Sequence, residues 1–441
     1  MASADKKPSS SRLETLPNKL LRDIFEMAYD RDMLDMNVTS TARPICKRLW
    51  PFQRDELFKD VRLTCYAELA DFARAIVGIS ELGARVKRLW VVIEPLEICD
   101  QGVMIEFPFP QERFPASLLQ RCLQALNYVE KVDLYQCSEV ARQVLNLAAT
   151  EANFLPNLRK LALDTSLGFT DDPFHSTHLS GLANLPRLTS FTFYLRQTAS
   201  CERSVVGPPL PPFEALTKFA IRGPVRHIRS FLTFLEHLVN LEEIDLSDCS
   251  EYPNLPPPPP LATGLSHLPN PSKLQDLEFQ SPETTPAASA AFFTNLARFT
   301  SLRLLVVNGL GLDSIVISPL FYTSLRAISI EIVAFGQWLD GVEASNLIDL
   351  ISAPRHPTLY RIVLGEIDGP FDDDEQWTFD MDTSDINKLL DVADVWDVEV
   401  VGLAIDNFYK MIGSDSEGDD AGDGEKGLNL DDDPNDDSSG E

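Results

Sequence analysis

The chain has 441 residues, of which 44% are hydrophobic, and a formal net charge of −29 at pH 7. Such a negative chain is poorly suited to a nucleic-acid backbone or an anionic membrane as its main partner, so we expect neither. No run of eighteen apolar residues occurs and residues 1–12 contain no apolar stretch, so we expect no membrane span, no secretory signal and a cytoplasmic or nuclear location.

The seven cysteines include no C-x-x-C pair, and their number is odd. We therefore expect them to be buried as small apolar side chains, without disulfides or a bound metal. The sequence also lacks the phosphate-binding loop, the dinucleotide-binding glycine motif, the hydrolase nucleophile motif and the zinc-protease motif. We predict that the protein is not an enzyme and has no catalytic residue and no cofactor.

The N-terminal part of the chain is expected to form a small helical domain over residues 13–60, after a disordered lead-in at residues 1–12. Pro17 suits a first helical turn, and the apolar residues that follow it form a stripe at helical spacing. Another short helix is expected to begin at Pro44. A unit of about fifty residues is too small to be robust alone.

An apolar skeleton of the form L-x-x-L-x-L recurs ten times between residues 86 and 364. Its last two apolar positions lie two residues apart, on one face of a strand, and its first lies at the bend leading in. Stacked strands of this kind form a parallel ladder with a continuous apolar face. The best copies are Val129/Val132/Leu134, Leu158/Leu161/Leu163, Leu241/Ile244/Leu246, Leu274/Leu277/Phe279, Leu302/Leu305/Val307, Leu325/Ile328/Ile330 and Leu359/Ile362/Leu364. The weaker copies are Val86/Leu89/Val91, Leu188/Phe191/Phe193 and Leu216/Phe219/Ile221.

The chain between the copies must return to begin the next strand, and several returns carry apolar residues at helical spacing. We predict returning helices at 140–150, 225–239, 287–297 and 341–351, and flanking helices at 68–77 and 386–392. Strand, turn, helix and strand at this period are typical of leucine-rich repeats. The distance between copies varies from 23 to 43 residues, so residues 61–412 are expected to form an irregular solenoid. Only Cys137 and Cys249 occupy the position where regular repeats place Asn or Cys to bond the turn backbone.

The residues that alternate with the apolar pair of each strand are expected to line the concave face of the stack. Aromatic and arginine side chains dominate interface energetics, which makes Tyr135, Tyr194 and Arg222 the stronger candidates for contacts with a target protein. A solvated strand face has a similar composition, so both interpretations stay open. The candidate target-binding residues are Asp133, Tyr135, Asp164, Tyr194, Arg222 and Asp245.

Three loops interrupt the stack, at about 165–185, 197–213 and 250–272, and the last contains prolines 256–260 in an unbroken run. This run favours polyproline II, as a stiff insertion or as a ligand for an aromatic groove. His175 and His178 lack a third ligand, and the acidic residues 372–375 lack the glycine and terminal glutamate of an EF-hand loop. We therefore predict no metal site.

The C-terminal residues 413–441 are expected to be a disordered acidic tail. Residues 414–441 hold twelve acidic residues and one lysine, a net charge of −11. With almost no apolar residues this segment cannot fold alone. It is interpreted as a solubilising spacer, or as a segment that repels nucleic acid or recruits a basic partner.

The N-terminal pattern resembles an F-box. It reads L-P-x-x-L-L-x-x-I-F, then I-C-K-R-x-W, then L-F, and the order and spacing match from Leu16 to Phe58. Residues 33–42 have little of the usual apolar pattern, so the second helix is expected to be short. With the repeats included, the resemblance to fungal F-box proteins with leucine-rich repeats covers residues 13 to about 405. It implies an α/β protein with an N-terminal F-box, a solenoid and an acidic tail.

Proteins of this family are the substrate-recognition subunits of Skp/cullin/F-box ubiquitin ligases. The resemblance implies that the box binds a Skp-type adaptor, and through it a cullin, while the solenoid holds a target protein. Some of the matching residues must form the core of the box instead of its interface. The residues that match the box are Leu16, Pro17, Leu20, Leu21, Ile24, Phe25, Ile45, Cys46, Trp50, Leu57 and Phe58.

An alternative interpretation is a leucine-rich-repeat scaffold or inhibitor that belongs to no ubiquitin ligase. In that case the N-terminal helices only cap the apolar end of the solenoid. The apolar stripe of the box distinguishes the two hypotheses, since an adaptor interface is exposed in the isolated chain and a cap is buried.

Overall fold

The computed structural model describes the chain between residues 58 and 409, with gaps. The described residues are 58–93, 97–98, 104–105, 115–164, 179–195, 209–223, 228–246, 265–280, 296–308, 325, 328–335, 343–352, 358–365, 383–402, 404–406 and 408–409. The predicted lead-in, nearly all of the F-box-like segment, the proline run, the acidic residues 372–375 and the acidic tail lie outside these residues.

Twelve parallel strands form one sheet in which each strand pairs with the next one along the chain, apart from a separate two-stranded hairpin. The strands of the large sheet are β1 (Asp60–Leu63), β2 (Arg88–Val92), β5 (Lys131–Tyr135), β6 (Lys160–Asp164), β7 (Ser190–Tyr194), β8 (Lys218–Arg222), β9 (Glu243–Leu246), β10 (Asp276–Gln280), β11 (Leu304–Asn308), β12 (Ile332–Phe335), β13 (Arg361–Leu364) and β14 (Glu399–Val401). The hairpin consists of β3 (Glu97–Ile98) and β4 (Met104–Ile105). The predicted α/β class and the parallel stack in chain order are confirmed.

The predicted helices at 140–150, 225–239, 341–351, 68–77 and 386–392 are confirmed, although their bounds differ. The α-helices are α1 (Tyr66–Gly78), α2 (Ser80–Gly83), α3 (Ala116–Ala125), α4 (Ser138–Thr150), α5 (Ile228–Leu235), α6 (Ala344–Ser352) and α7 (Thr383–Trp396). Three short 3₁₀ helices lie at Ser180–Asn184, Leu265–His267 and Pro271–Lys273. Most of the predicted helix 287–297 lies outside the described residues. None of the described helices is long and apolar enough to cross a membrane.

The register of the sheet is fixed by a repeated backbone contact at the start of each strand. The carbonyl of Lys87 accepts N–H bonds from two successive residues, Glu130 and Lys131. The same double contact recurs at each step from β5 to β13, on the carbonyls of Glu130, Arg159, Thr189, Thr217, Glu242, Gln275, Arg303 and Glu331. Because the register is the same at each of these steps, equivalent residues of successive strands lie in continuous rows across the sheet.

The apolar pair of each strand faces a core that lies between the sheet and the returning helices. In the middle of the stack, Phe219 of β8 lies with its ring centroid 6.1 Å from that of Phe191 in β7. On its other side it meets Phe231 and Phe234 of α5, at 6.3 and 5.2 Å. All four rings are at most 1% exposed, so the centre of the stack is an aromatic core.

One predicted copy of the skeleton, Leu325/Ile328/Ile330, was wrong. The strand in this repeat is β12, whose apolar pair is Val333 and Phe335. The segment contains two overlapping copies of the skeleton, and pairing with β11 selects the second one, since Leu305 lies opposite Val333. Leu325, Ile328 and Ile330 are buried in the chain that leads into the strand.

The cysteine predictions are only partly confirmed. Cys137 is buried after β5, and its sulfur lies 3.8 Å from the carbonyl oxygen of Val91, so its thiol bonds the neighbouring repeat as expected. Cys122 is also buried, and burial raises its pKa to about 12, which keeps the thiol protonated. Cys65 is exposed, contrary to the prediction.

Asparagine side chains join successive repeats just before the strands, and sequence analysis missed this role. The Asn157 amide donates to the Asn127 carbonyl at 2.8 Å, and the Asn240 amide donates to the Glu214 carbonyl at 2.7 Å. The signal for these contacts was the asparagine placed directly before the first leucine of the skeleton, at L-P-N-L and L-V-N-L. These bonds hold the chain that leads into β6 and β9 against the repeat before it.

Candidate protein-binding face

The face of the sheet opposite the core carries the side chains that alternate with the buried apolar pair, and we call it the open face. Burial alternates along most strands, with the apolar pair buried and its neighbours partly exposed. The central row of the open face runs through equivalent positions of successive strands. Its first members are Arg62, Trp90, Asp133, Ala162, Thr192, Ala220 and Asp245.

A line of aromatic side chains crosses the first strands of the open face. The guanidinium carbon of Arg62 lies 4.0 Å from the ring centroid of Trp90. The Trp90 ring lies 6.2 Å from that of Tyr135, and the Tyr135 ring lies 5.1 Å from that of Tyr194. We call Trp90, Tyr135 and Tyr194 the aromatic stripe. Arg62 extends it at one end by a cation–π contact.

The two tyrosines of the stripe lean towards each other across an intervening strand. The register of β5 with β6 ends at Leu134 opposite Leu163, directly before Tyr135 and Asp164, and Asp164 lies opposite Tyr194 of β7. Two strand spacings amount to roughly 9–10 Å, so rings only 5.1 Å apart must incline over the strand between them. Asp164 is fully buried at that place. It was predicted to contact a target, but in this structure it presents no accessible surface.

The tyrosine pair is also joined through its polar ends. The two hydroxyl oxygens lie 3.4 Å apart, with Tyr135 as the donor. Burial, followed by the contact with Tyr194, raises the pKa of Tyr135 well above its ordinary value. The phenol therefore stays neutral throughout the physiological range, and a bound partner meets an uncharged aromatic surface.

Charged side chains flank the stripe and are paired with one another. Lys131 lies 2.7 Å from Asp133, and Arg222 lies 3.2 Å from Asp245. Asp133 is only 8% exposed, whereas 45% of the Arg222 side chain is exposed. Arg222 is thus the more accessible of the predicted charged candidates. Such partly exposed pairs contribute about 0–1 kcal/mol to stability and can be reorganised by a partner.

The structure brings most of the predicted target-binding residues onto one area of the open face. Asp133 and Tyr135 share β5, and Tyr194, Arg222 and Asp245 follow on later strands. Sequence analysis missed Trp90 and Arg62. The available signal for Trp90 was its position between Leu89 and Val91 in a weak copy of the skeleton.

Of the residues that match the F-box pattern, only Phe58 lies within the described part of the chain. Its side chain is partly buried and packs against the core of the stack. Phe58 stands three residues before Val61, so it occupies the first position of an additional skeleton copy, Phe58/Val61/Leu63, that leads into β1. The other matching residues, from Leu16 to Leu57, lie outside the described chain.

Within the described residues, no group of three or more His, Cys, Asp and Glu side chains could hold a metal ion. His175 and His178 lie outside those residues. No model of a known protein family matches the chain. No curated protein matches its sequence either.

Proposed function

We propose that this protein is the target-recognition subunit of a Skp/cullin/F-box ubiquitin ligase, built from an F-box and an irregular leucine-rich-repeat solenoid. The observation that supports target recognition is the aromatic stripe, because Trp90 is 39% exposed beside two partly exposed tyrosines on the open face of the sheet. Tryptophan, tyrosine and arginine are the residues that most often dominate the binding energy of protein interfaces. The F-box assignment rests on the pattern between Leu16 and Phe58.

The stripe is suited to binding because it is held in place before a partner arrives. Its residues lie on strands and not on loops, and their rings support one another. Side chains that are already ordered lose little conformational entropy on binding, which raises affinity. A protein target is favoured over a small ligand because the stripe lies across several strands of an extended sheet face.

The order of the chain supports the same proposal. Phe58, at the end of the F-box pattern, stands two residues before β1, which carries Arg62 at one end of the aromatic line. A target held on the first strands is therefore held at the end of the stack that follows the F-box pattern in the chain. Holding a target close to the adaptor is what the proposed function requires.

A second candidate is a protein-binding scaffold outside any ubiquitin ligase. It is favoured by one observation, the packing of Phe58 against the core, which is what a helical cap on the first repeat would do. The aromatic stripe would then bind a partner in the same way, but no Skp-type adaptor would be involved.

Removal of the stripe is expected to abolish target binding without affecting the adaptor. We would compare proteins that co-purify with the full chain and with the variant Trp90→Ala/Tyr194→Ala. Truncation of an interface anchor typically costs about 2 kcal/mol or more, so we expect at least one partner to be depleted by roughly thirtyfold or more. The Skp-type adaptor and the cullin should be recovered in unchanged amounts.

The matched control is the variant Tyr360→Ala/Tyr409→Ala, which removes two exposed tyrosines that lie outside the stripe. This control should leave all partners in place. Recovery of the same partners in equal amounts with both variants would contradict the assignment of the stripe as the target-binding surface.

A further inference from the structure

The positions at which the strands begin carry a segregated set of charges. We consider two residues for each strand, the first residue of the strand and the one before it. Over β1, β2 and β5–β8 these twelve positions hold seven basic and two acidic residues, a net charge of +5. We call the basic members the basic edge, and they are Lys59, Lys87, Arg88, Lys131, Arg159, Lys160 and Lys218.

The next four strands reverse the sign. The corresponding positions of β9–β12 hold four acidic residues and one basic residue, Arg303, a net charge of −3. Among these acidic residues, the pKa of Asp276 is raised by partial burial and by the neighbouring Glu243. The basic edge is therefore a local feature of the N-terminal half, in a chain whose overall charge is −29.

The charged ends of the basic edge are accessible to a ligand. Side-chain exposure is 56% for Arg88, 43% for Lys131 and 53% for Lys218, and both Arg159 and Lys160 are exposed. Some of these groups meet acidic neighbours, such as Lys87 with Glu130 at 3.2 Å. Exposed pairs of this kind are weak enough to be exchanged for a more highly charged partner.

We propose that the basic edge is a docking surface for the acidic segment 414–441 of the same chain. The charges are complementary, −11 on the segment against +5 on the edge. The rest of the chain carries −18, the difference between −29 and −11, whereas the basic edge is locally positive and attracts the segment. The inference does not depend on the proposed role in a ubiquitin ligase.

The segment is long enough to reach the edge. The described chain ends at Tyr409, eight residues after β14, and residues 410–441 span roughly 100 Å when extended. β8 lies six strands from β14 and β1 lies eleven strands away, roughly 29 and 53 Å along the sheet. A tethered segment has an effective concentration of the order of millimolar, so even weak contacts keep it bound.

Docking of the segment has a consequence for the open face. Lys131 begins the same strand that ends with Tyr135, so an acidic segment on the basic edge lies beside the aromatic stripe. A target that approaches the stripe must then displace the segment or tolerate its charge. By electrostatic repulsion, the acidic segment would weaken the binding of acidic proteins that compete with the target for the stripe.

The first test is zero-length carbodiimide cross-linking of the full chain at low protein concentration, read by mass spectrometry. We expect amide links from Lys87, Lys131, Lys160 or Lys218 to carboxylates of residues 414–441, and we expect them to be lost in 0.5 M salt because the contact is electrostatic (screening length about 4 Å). The internal positive control is the pair Lys388 and Asp385, 3.0 Å apart. Lys273, an exposed lysine outside the basic edge, is the negative control.

Formation of the control link without any link from the segment to the basic edge would overturn the proposal. Links to Lys273 as frequent as those to the edge would overturn it as well, since they would indicate unspecific collisions.

The second test measures binding of a labelled peptide of residues 414–441 to the full chain whose own acidic residues in 414–441 are changed to Asn or Gln. We expect this chain to bind the peptide at least tenfold more tightly than the natural chain, whose edge is already occupied. Adding Arg88→Glu, Arg159→Glu and Lys160→Glu should abolish the gain, whereas Lys273→Glu should preserve it. Circular dichroism checks that each variant folds.

No binding of the peptide to the neutralised chain would refute the docking surface. If that chain instead bound a single-stranded oligonucleotide and not the peptide, the edge would belong to a different class of ligand, and the proposal would be wrong.

Discussion

Replacement of Phe219 by alanine is expected to lower the free energy of unfolding by about 3–5 kcal/mol, the range found when a buried phenylalanine is truncated. Phe219 is 1% exposed and contacts three other buried rings, those of Phe191, Phe231 and Phe234. The substitution leaves a cavity where the sheet meets α5. The stack cannot collapse to fill it without moving β7 and β8, which are fixed in register.

Urea unfolding followed by circular dichroism measures this loss, and local hydrogen exchange locates it, since repeat stacks can open one unit at a time. The control is Tyr360→Ala, a truncation at a side chain that is 48% exposed, which should change the free energy of unfolding by about 0.5 kcal/mol or less. A loss below about 1 kcal/mol for Phe219→Ala would mean that the aromatic core is not packed as described.

Replacement of Gly223 by alanine is expected to destabilise the middle of the stack by at least about 1–3 kcal/mol. Gly223 follows β8 with φ of +96°, a conformation that residues with a Cβ rarely adopt. An added Cβ would lie 1.9 Å from the carbonyl oxygen of Leu195. Leu195 itself donates its N–H to the carbonyl of Arg222, so the two chain segments cannot separate without losing that bond.

The matched control for this substitution is Gly78→Ala. Gly78 ends α1, and a Cβ built there meets nothing within 4 Å. We expect this variant to be as stable as the natural chain, or slightly more stable because the unfolded chain loses freedom. Equal thermal stability of both variants would contradict the close approach of Gly223, directly after β8, to Leu195, directly after β7.

The repeated stack could be predicted from the sequence because a strand with apolar side chains on only one face has few ways to bury them. The spacing of Leu158, Leu161 and Leu163 already places two side chains on one face, and the recurrence of this spacing requires neighbours of the same kind. The register of β12 could not be predicted in this way. Two overlapping copies fit the segment that contains it, and only the pairing of Leu305 with Val333 decides between them.

The candidate site was predicted residue by residue but not as an arrangement. Tyr135 and Tyr194 were chosen for their chemistry, yet nothing in a single sequence indicates that they meet over the strand between them. That contact depends on the register of three strands, which is set by backbone bonds and not by the side chains concerned. The burial of Asp164 could not be predicted either, since its position in β6 looks like that of the partly exposed residues on other strands.

The most direct test of the proposed function is binding of the purified full chain to a Skp-type adaptor. The test variant is Leu20→Asp/Phe25→Asp, which places charge on the apolar stripe of the F-box pattern, and the control is Lys19→Asp/Arg22→Asp on the polar side of the same segment. All three chains are first checked for retained folding by circular dichroism. We predict that the natural chain and the control bind the adaptor, and that the Leu20→Asp/Phe25→Asp variant loses at least a hundredfold in affinity. Failure of the folded natural chain to bind would contradict the ligase assignment and leave a free-standing protein-binding scaffold.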